Sequence, residues 1–305
     1  MENNNYIQVR NSQIRYYRDI PLYYLIGERN FSLYKPPGLS IAEMRLTEER
    51  HPQLFIQQKD RVESIKELQR EFNQHIAESI TKGNSVEVKS TLCNLVEETL
   101  SEPRSGTLQA LPETIEILVS GYSKQPEFIK TFASISFKDY STVIHSVNVM
   151  ALTIGFCFYS KLSLKDTQRF GLSALMHDVG KTKVPSEILK AQRKLTNEEF
   201  EIMKRHPTIG GDIIKQRNRL GEVVAKGALE HHEKIDGSGY PRGIKEISYI
   251  GQLIGIIDCY EALTNEDRPY RRAKQPLDTL KLLKEDVEAG KFDRNLFEKF
   301  CYSLI

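Results

Sequence analysis

The rhythm of hydrophobic and polar positions changes near residue 82. Before that point, apolar residues fall in short runs: Tyr6 to Arg10, Asp19 to Gly27, Asn30 to Lys35 and Leu54 to Gln58. Polar or turn-forming breaks, Glu28-Arg29-Asn30 and Pro36-Pro37-Gly38, separate them. Runs of this length rich in Tyr, Ile, Phe and Leu predict strands, with a short helix over Ile41 to Glu49. From Arg61 to Thr81 the period becomes helical, with Val62, Ile65, Leu68, Phe72 and Ile76 three or four positions apart. Lys82-Gly83-Asn84-Ser85 breaks that helix.

Beyond the break the pattern stays helical. Pro112, Ile115, Ile117, Leu118 and Tyr122 start the series; Phe128, Phe132 and Ile135 continue it, and a helix over Tyr140 to Lys161 follows. Ser163 to Asp166 reads as a capping signal for a helix ending near His177, with Gly180 as its C-terminal cap. Thr196 to Glu199 is a capping box for a helix that runs to His206, where Pro207 discourages continuation. Further helices are expected over 207–217, 220–232, 248–265 and 276–287. The predicted fold is mainly α: a small α/β domain with its linking helix over 1–82, then an all-helical bundle domain over 83–305.

Composition narrows the class of protein without naming a function. In 305 residues, 43 Lys and Arg nearly balance 41 Asp and Glu, for a formal charge of +2. That balance gives no support for binding a nucleic acid polymer or for a polybasic membrane surface. Hydrophobic residues at 39% and charged residues at 28% describe an ordinary globular chain. The longest apolar stretch, Val147 to Tyr159, contains Asn148 and is too short for membrane insertion. The start MENNNYIQVR has no basic region followed by an apolar one, and Cys93, Cys157, Cys259 and Cys301 form no CxxC pair. These features predict a cytoplasmic protein with free thiols.

The histidines carry more information. Of seven, five (His145, His177, His206, His231 and His232) fall within 88 residues. Placed on the predicted helices, His145 projects from the first turns of one and His177-Asp178 from the end of the next. His206 ends a third, His231-His232 a fourth, and Asp258 lies inside a fifth. Ligands from several helices converging inward are how bundles build metal sites. Neighbours on a helix point about 100° apart, so His-Asp and His-His doublets suit a pair of metals better than a single one. Two ions roughly 3.5–4 Å apart are a recurrent device for attacking a phosphodiester. Asp258 follows the apolar run Leu253 to Ile257, and a carboxylate buried there needs a compensating charge.

His177-Asp178-Val179-Gly180-Lys181 resembles the HDxGK signature of the HD superfamily of metal-dependent phosphohydrolases. HHEKIDGSGYPRG, from His231 to Gly243, resembles the defining motif of its HD-GYP branch. KRHPTIGGDII around His206, DYSTVIHSVNV around His145 and DCYEALTNEDRPYRRA from Asp258 follow in the same order, so the resemblance covers about 135–275 closely. It implies a cyclic di-GMP phosphodiesterase that cuts the 3'-5' phosphodiester bond to pGpG or GMP with a metal-bridging hydroxide.

Carried over position by position, the resemblance makes His145, His177, Asp178, His206, His231, His232 and Asp258 the metal ligands, with Asp178 bridging two ions. Iron or manganese is favoured over zinc. Asp178 and Lys181 are the catalytic pair, Lys181 reaching a non-bridging phosphate oxygen. Arg268 and Arg271 would hold the second phosphate or a guanine edge. Tyr240 shapes the loop beside the site, and Asp236, Gly237, Gly239 and Pro241 complete that loop. Family members with a third metal carry a Glu one turn ahead of the His145 position. Here it is Ser141, which predicts two metals. The segment from Thr264 to Arg268 is one residue longer than the family pattern.

Two other functions fit the same residues. One is a catalytically weak cyclic di-GMP receptor or signalling adaptor that meets partner proteins through the GYP loop. The other is hydrolysis of a different nucleotide, such as a hybrid cyclic dinucleotide. The N-terminal domain shows no phospho-acceptor pattern of a receiver and reads as a packing or dimerising unit. Its Arg61–Thr81 helix could transmit movement or pair with its copy in a homodimer.

Overall fold

Alternating Tyr, Leu and Phe positions in the first segment leave one face of each short strand to be covered. In the computed structural model, which describes residues 5–27, 30–41, 51–101, 107–124, 129, 132, 135, 141–191, 193–216, 220–264 and 274–305, four such strands form an antiparallel sheet. They are β1 (Tyr6–Gln8), β2 (Leu22–Ile26), β3 (Asn30–Lys35) and β4 (Leu54–Gln57), in the order β1-β4-β2-β3. Leu25 pairs with Phe31 across the β2–β3 hairpin, and Ile7 with Ile56 across β1–β4. The helix expected over Ile41 to Glu49 lies, but for Ile41, outside the described residues.

The sheet is covered by the first helix, α1 (Arg61–Thr81), through Leu68 and Phe72, with Leu95 of α2 (Ser85–Ser101) beside them. Buried Glu67 accepts backbone N–H bonds from Arg18 (2.7 Å), Asp19 (2.5 Å) and Ile20 (3.0 Å), tying α1 to the turn before β2. Val62, expected on the apolar stripe, is half exposed. It lies about 120° around the helix from Leu68, outside the covered face. Farther along α1, Ile76 and Ile80 enter the helical core with Val88 and Leu92 of α2. Gly83, with φ +68°, makes the turn at the predicted break, and α1 and α2 thus contribute to both cores.

The remaining helices among the described residues are α3 (Leu111–Ser123), α4 (Thr142–Tyr159), α5 (Leu164–Met176), α6 (Ser186–Leu189), α7 (Asn197–Met203), α8 (His206–Lys215), α9 (Glu222–Glu230), α10 (Tyr249–Thr264), α11 (Pro276–Glu288) and α12 (Arg294–Ser303). The predicted caps form as hydrogen bonds. Ser163 accepts from Asp166 N, and Thr196 and Glu199 bond reciprocally at 3.2 and 2.9 Å. Helix α4 packs on α5 and α10, while α9 packs on α5, α8 and α10. Among the described residues α4 alone is long and apolar enough to cross a membrane, and most of it is buried within the bundle.

Two local expectations are corrected. His206 does not end a helix; it begins α8, with Pro207 in the first turn, where its missing N–H costs nothing. Gly180 does not cap α5 either. It sits within a 3-10 turn over Val179–Lys183 that presses on the start of α8. A Cβ at Gly180 would lie 1.9 Å from the His206 carbonyl oxygen and 2.6 Å from Gly210 N. Glycine is there for close approach, and its φ is not in the left-handed region.

Candidate metal centre

Five helices deliver their polar residues to one buried point. His145 comes from the first turn of α4, His177 caps α5, and Asp178 opens the following 3-10 turn. His206 starts α8, His231 and His232 follow α9, and Asp258 lies inside α10. All are buried except His232, which is partly so. The structure therefore brings together all seven residues singled out as ligands. Three sets have donor atoms within 4.8 Å of one another: His206-His231-His232, His145-His177-Asp178 and His177-His231-Asp258.

Hydrogen bonds fix how the imidazoles present themselves. Nδ1–H donates to a main-chain carbonyl in His177 (Ala174, 2.7 Å), His206 (Met203, 2.8 Å) and His231 (Ala228, 2.9 Å). A carbonyl only accepts, so each of these rings carries a proton on Nδ1 and turns Nε2 inward. There, Nε2 of His206 meets Nε2 of His231 at 3.3 Å, and Nε2 of His177 meets Nε2 of His145 at 3.3 Å. Between His206 and His231 lone pair faces lone pair, which at this distance is repulsive unless a cation lies between them.

Asp178 spans the two histidine pairs. Its Oδ1 lies 3.2 Å from His206 Nε2 and 3.8 Å from His231 Nε2. Its Oδ2 lies 3.4 Å from His177 and 3.6 Å from His145. Oδ1 is buried and, among the described residues, without a hydrogen-bond donor. An orphaned carboxylate oxygen facing imidazole lone pairs fits a metal ligand, and the donor set of imidazoles and carboxylates fits divalent cations.

The electrostatics keep both carboxylates charged and His231 and His232 neutral. Burial opposes the charge on Asp178, but Lys181 and His177 outweigh it and hold the carboxyl well below its usual range. Asp258 is likewise held low against burial, chiefly by His145. Burial drives His231 well below the usual imidazole value and His232 down to about 3, so both stay neutral. His145 differs. Burial pulls it down, yet the Asp258 and Glu261 carboxylates carry it up to about 9.

Around this cluster, Lys181 is 22% exposed at the edge of the site, with Nζ 2.5 Å from Asp178 Oδ2. Tyr240 stacks on His232 with ring centroids 4.6 Å apart. Asp236 Oδ1 accepts from Ser238 N (2.9 Å), Gly237 has φ +85°, and Tyr240-Pro241 is a cis peptide. A Cβ at Gly239 would meet Lys234 N at 2.4 Å. Ser141 is the N-cap of α4, accepting from Ile144 N at 3.3 Å. Arg268 and Arg271 lie outside the described residues.

Three supporting acids were not foreseen. Glu261 Oε2 accepts from His145 Nδ1 at 2.5 Å, and its Oε1 accepts from Asn148 Nδ2 at 2.7 Å. Its spacing of three from Asp258 puts it on the same helix face, which was the available signal. Glu233 accepts from Arg242 N (2.8 Å) and Ile244 N (3.2 Å), and Glu230 from Ser248 N (2.8 Å). The two together clasp the 234–248 loop beside the centre.

Residues 128–296 match the HD domain family, more than half of the chain. A cyclic di-GMP phosphodiesterase of Pseudomonas aeruginosa is 31% identical over 190 residues, covering 62% of this chain and 45% of that protein. One of Thermotoga maritima is 45% identical over 105 residues, covering 33% of this chain and 28% of that protein. The chain thus spans less than half the length of these curated relatives. A solved HDG"Y"P protein of Bdellovibrio bacteriovorus matches with a TM-score of 0.66 at 19% identity, covering 97% of this chain and 98% of that one. That likeness shows the fold, from the N-terminal sheet through the helical bundle.

Proposed function

The chain belongs to the HD domain family, and from that premise we propose that it is a cyclic di-GMP phosphodiesterase yielding pGpG or GMP. The observation that carries the reading is Asp178, whose two carboxylate oxygens face two separate histidine pairs in a buried centre. The named activity of the two relatives supports the substrate.

In this reading two divalent ions would be held here, one by His145, His177 and Asp258 and the other by His206, His231 and His232, with Asp178 contributing to both. Iron or manganese suits this all-nitrogen-and-oxygen set. When bound, the ions supply Lewis acidity and a water of lowered pKa. The protein's own contribution is positional. Carbonyls of Ala174, Met203 and Ala228 lock the tautomers so that Nε2 points inward. Lys181, already at the edge of the site, swings from Asp178 to a non-bridging phosphate oxygen as a mobile point charge. Tyr240 walls the His232 side and keeps that imidazole from rotating.

The test is anaerobic purification, quantification of bound Fe and Mn, and chromatography of cyclic di-GMP with a hybrid cyclic dinucleotide in parallel. We expect turnover of cyclic di-GMP that Asp178→Ala abolishes. Tight binding with no product would replace the enzyme by a receptor. A protein with no affinity for either metal would overturn the site itself.

A further inference from the structure

The two halves of the centre are built differently. Three of its imidazoles rest their outer nitrogen on a neutral main-chain carbonyl. His145 instead rests Nδ1 on the Glu261 carboxylate at 2.5 Å. Glu261 is 3% exposed, and its second oxygen is pinned by Asn148 Nδ2 at 2.7 Å. Asn148 lies on α4 one turn beyond His145, so one helix carries both the imidazole and the group that aims its carboxylate partner. On the inner side, His145 Nε2 lies 3.0 Å from Asp258 Oδ1.

Charge accumulates on that half. Around His145 and His177 stand Asp258, one oxygen of Asp178 and, behind the ring, Glu261. Around His206 and His231 stand His232 and the other oxygen of Asp178; Asp258 reaches this half as well, its Oδ2 3.9 Å from His232 Nδ1, so the carboxylate that belongs to the first half alone is Glu261. A carboxylate behind an imidazole raises its basicity toward a metal and fixes its orientation. Lys181 offsets part of this charge at Asp178 Oδ2, but its ammonium is partly exposed and free to swing away, whereas Glu261 is held from both sides.

We infer that the two ion sites are unequal: the one on His145 and His177 fills first and more tightly, with Glu261 as the positioning residue that makes it so. This rests on the binuclear reading above and adds to it an order of loading. It also assigns a role to a residue outside the ligand set. In Glu261→Gln the amide oxygen can still accept from His145 Nδ1–H and Asn148 can flip its Oδ1, unpartnered among the described residues, toward the new NH2, so what goes is the negative charge behind the ring.

The experiment is titration of metal-free protein with Mn2+, following free Mn2+ by its six-line electron paramagnetic resonance signal. Wild type should bind two equivalents in two steps. In Glu261→Gln the first step should weaken about 10- to 100-fold, the usual loss on removing such a partner. In His232→Ala the second step should weaken and the first survive. Glu261→Asp, which keeps the charge but shortens the reach, should fall between wild type and Glu261→Gln. Loss of the first equivalent in His232→Ala, or two unchanged steps in Glu261→Gln, would overturn the inference. If Glu261→Gln does not fold, His232→Ala alone decides the order. No Mn2+ bound by wild type would instead overturn the binuclear reading on which the inference stands.

Discussion

Replacing Gly180 by Ala tests how the centre is assembled, because this glycine lets the Asp178 turn lie against the helix that carries His206. The added Cβ would stand 1.9 Å from the His206 carbonyl oxygen, 2.6 Å from Gly210 N and 2.8 Å from the His206 carbonyl carbon. All three are backbone atoms, so no rotamer change relieves the clash. Restoring an ordinary contact requires the Val179–Lys183 turn to move off α8 by more than about 1 Å. Overpacking of this kind costs about 3 kcal/mol when backbone must shift. At about 2–4 °C per kcal/mol that lowers the melting temperature by about 6–12 °C. The same movement carries Asp178 away from His206, now 3.2 Å distant, and should lower the proposed phosphodiesterase activity about 100-fold. Thermal melts by circular dichroism, Mn2+ stoichiometry and turnover report the three effects. Gly155→Ala, whose Cβ would meet, among the described residues, Ile129 Cγ2 alone at 3.7 Å, is the control, and gains about 0.5–1 kcal/mol. A Gly180→Ala protein that melts within about 2 °C of wild type and keeps both ions would refute the reasoning.

Other expectations follow from the same contacts. Glu233→Ala leaves the Arg242 and Ile244 amides without their acceptor, so the 234–248 loop should be cut faster by limited proteolysis and stability should fall by about 3 kcal/mol. Lys89, buried on α2 and bonded to the carbonyls of Phe132 and Ile135, is held by burial at about 8 against an ordinary 10.5. Above pH 8 the folded protein sheds this proton while the unfolded chain keeps it, so denaturant stability should gain a rising component from pH 8 to 10.5. That component should be absent in Lys89→Met; an identical pH profile in the variant would disprove it. Adding Mn2+ at 100 times its dissociation constant should stabilise the metal-free protein by about 2.7 kcal/mol, and chelation should reverse the gain.

The strands of the N-terminal sheet were readable because apolar runs and turn residues act locally. The caps at Ser163 and Thr196 were readable for the same reason: a hydroxyl three residues before a carboxylate meets its partner within one turn. Val62 misled, since sequence spacing alone does not say where the edge of a covered stripe falls. Gly180 misled for a stronger reason. A glycine after a helix suits a cap by local rules, whereas the atoms that forbid a side chain there belong to a helix 26 residues farther on.

Residue chemistry, order along the chain and the family resemblance were enough to single out seven candidate ligands, and the fold brings those seven together. The supporting acids needed the folded molecule. Glu261 reaches His145 across 116 positions, a pairing that only the packing of α10 on α4 creates. Likewise the split of Asp178 between two histidine pairs depends on close contact between the 3-10 turn and α8. The sequence by itself determined which groups can bind a cation, because donor chemistry belongs to the residue. Only the tertiary structure decided which nitrogen points inward, which carboxylate stands behind it and how charge divides between the two halves. Those are matters of distance, and at these separations a shift of about 1 Å makes or breaks a hydrogen bond.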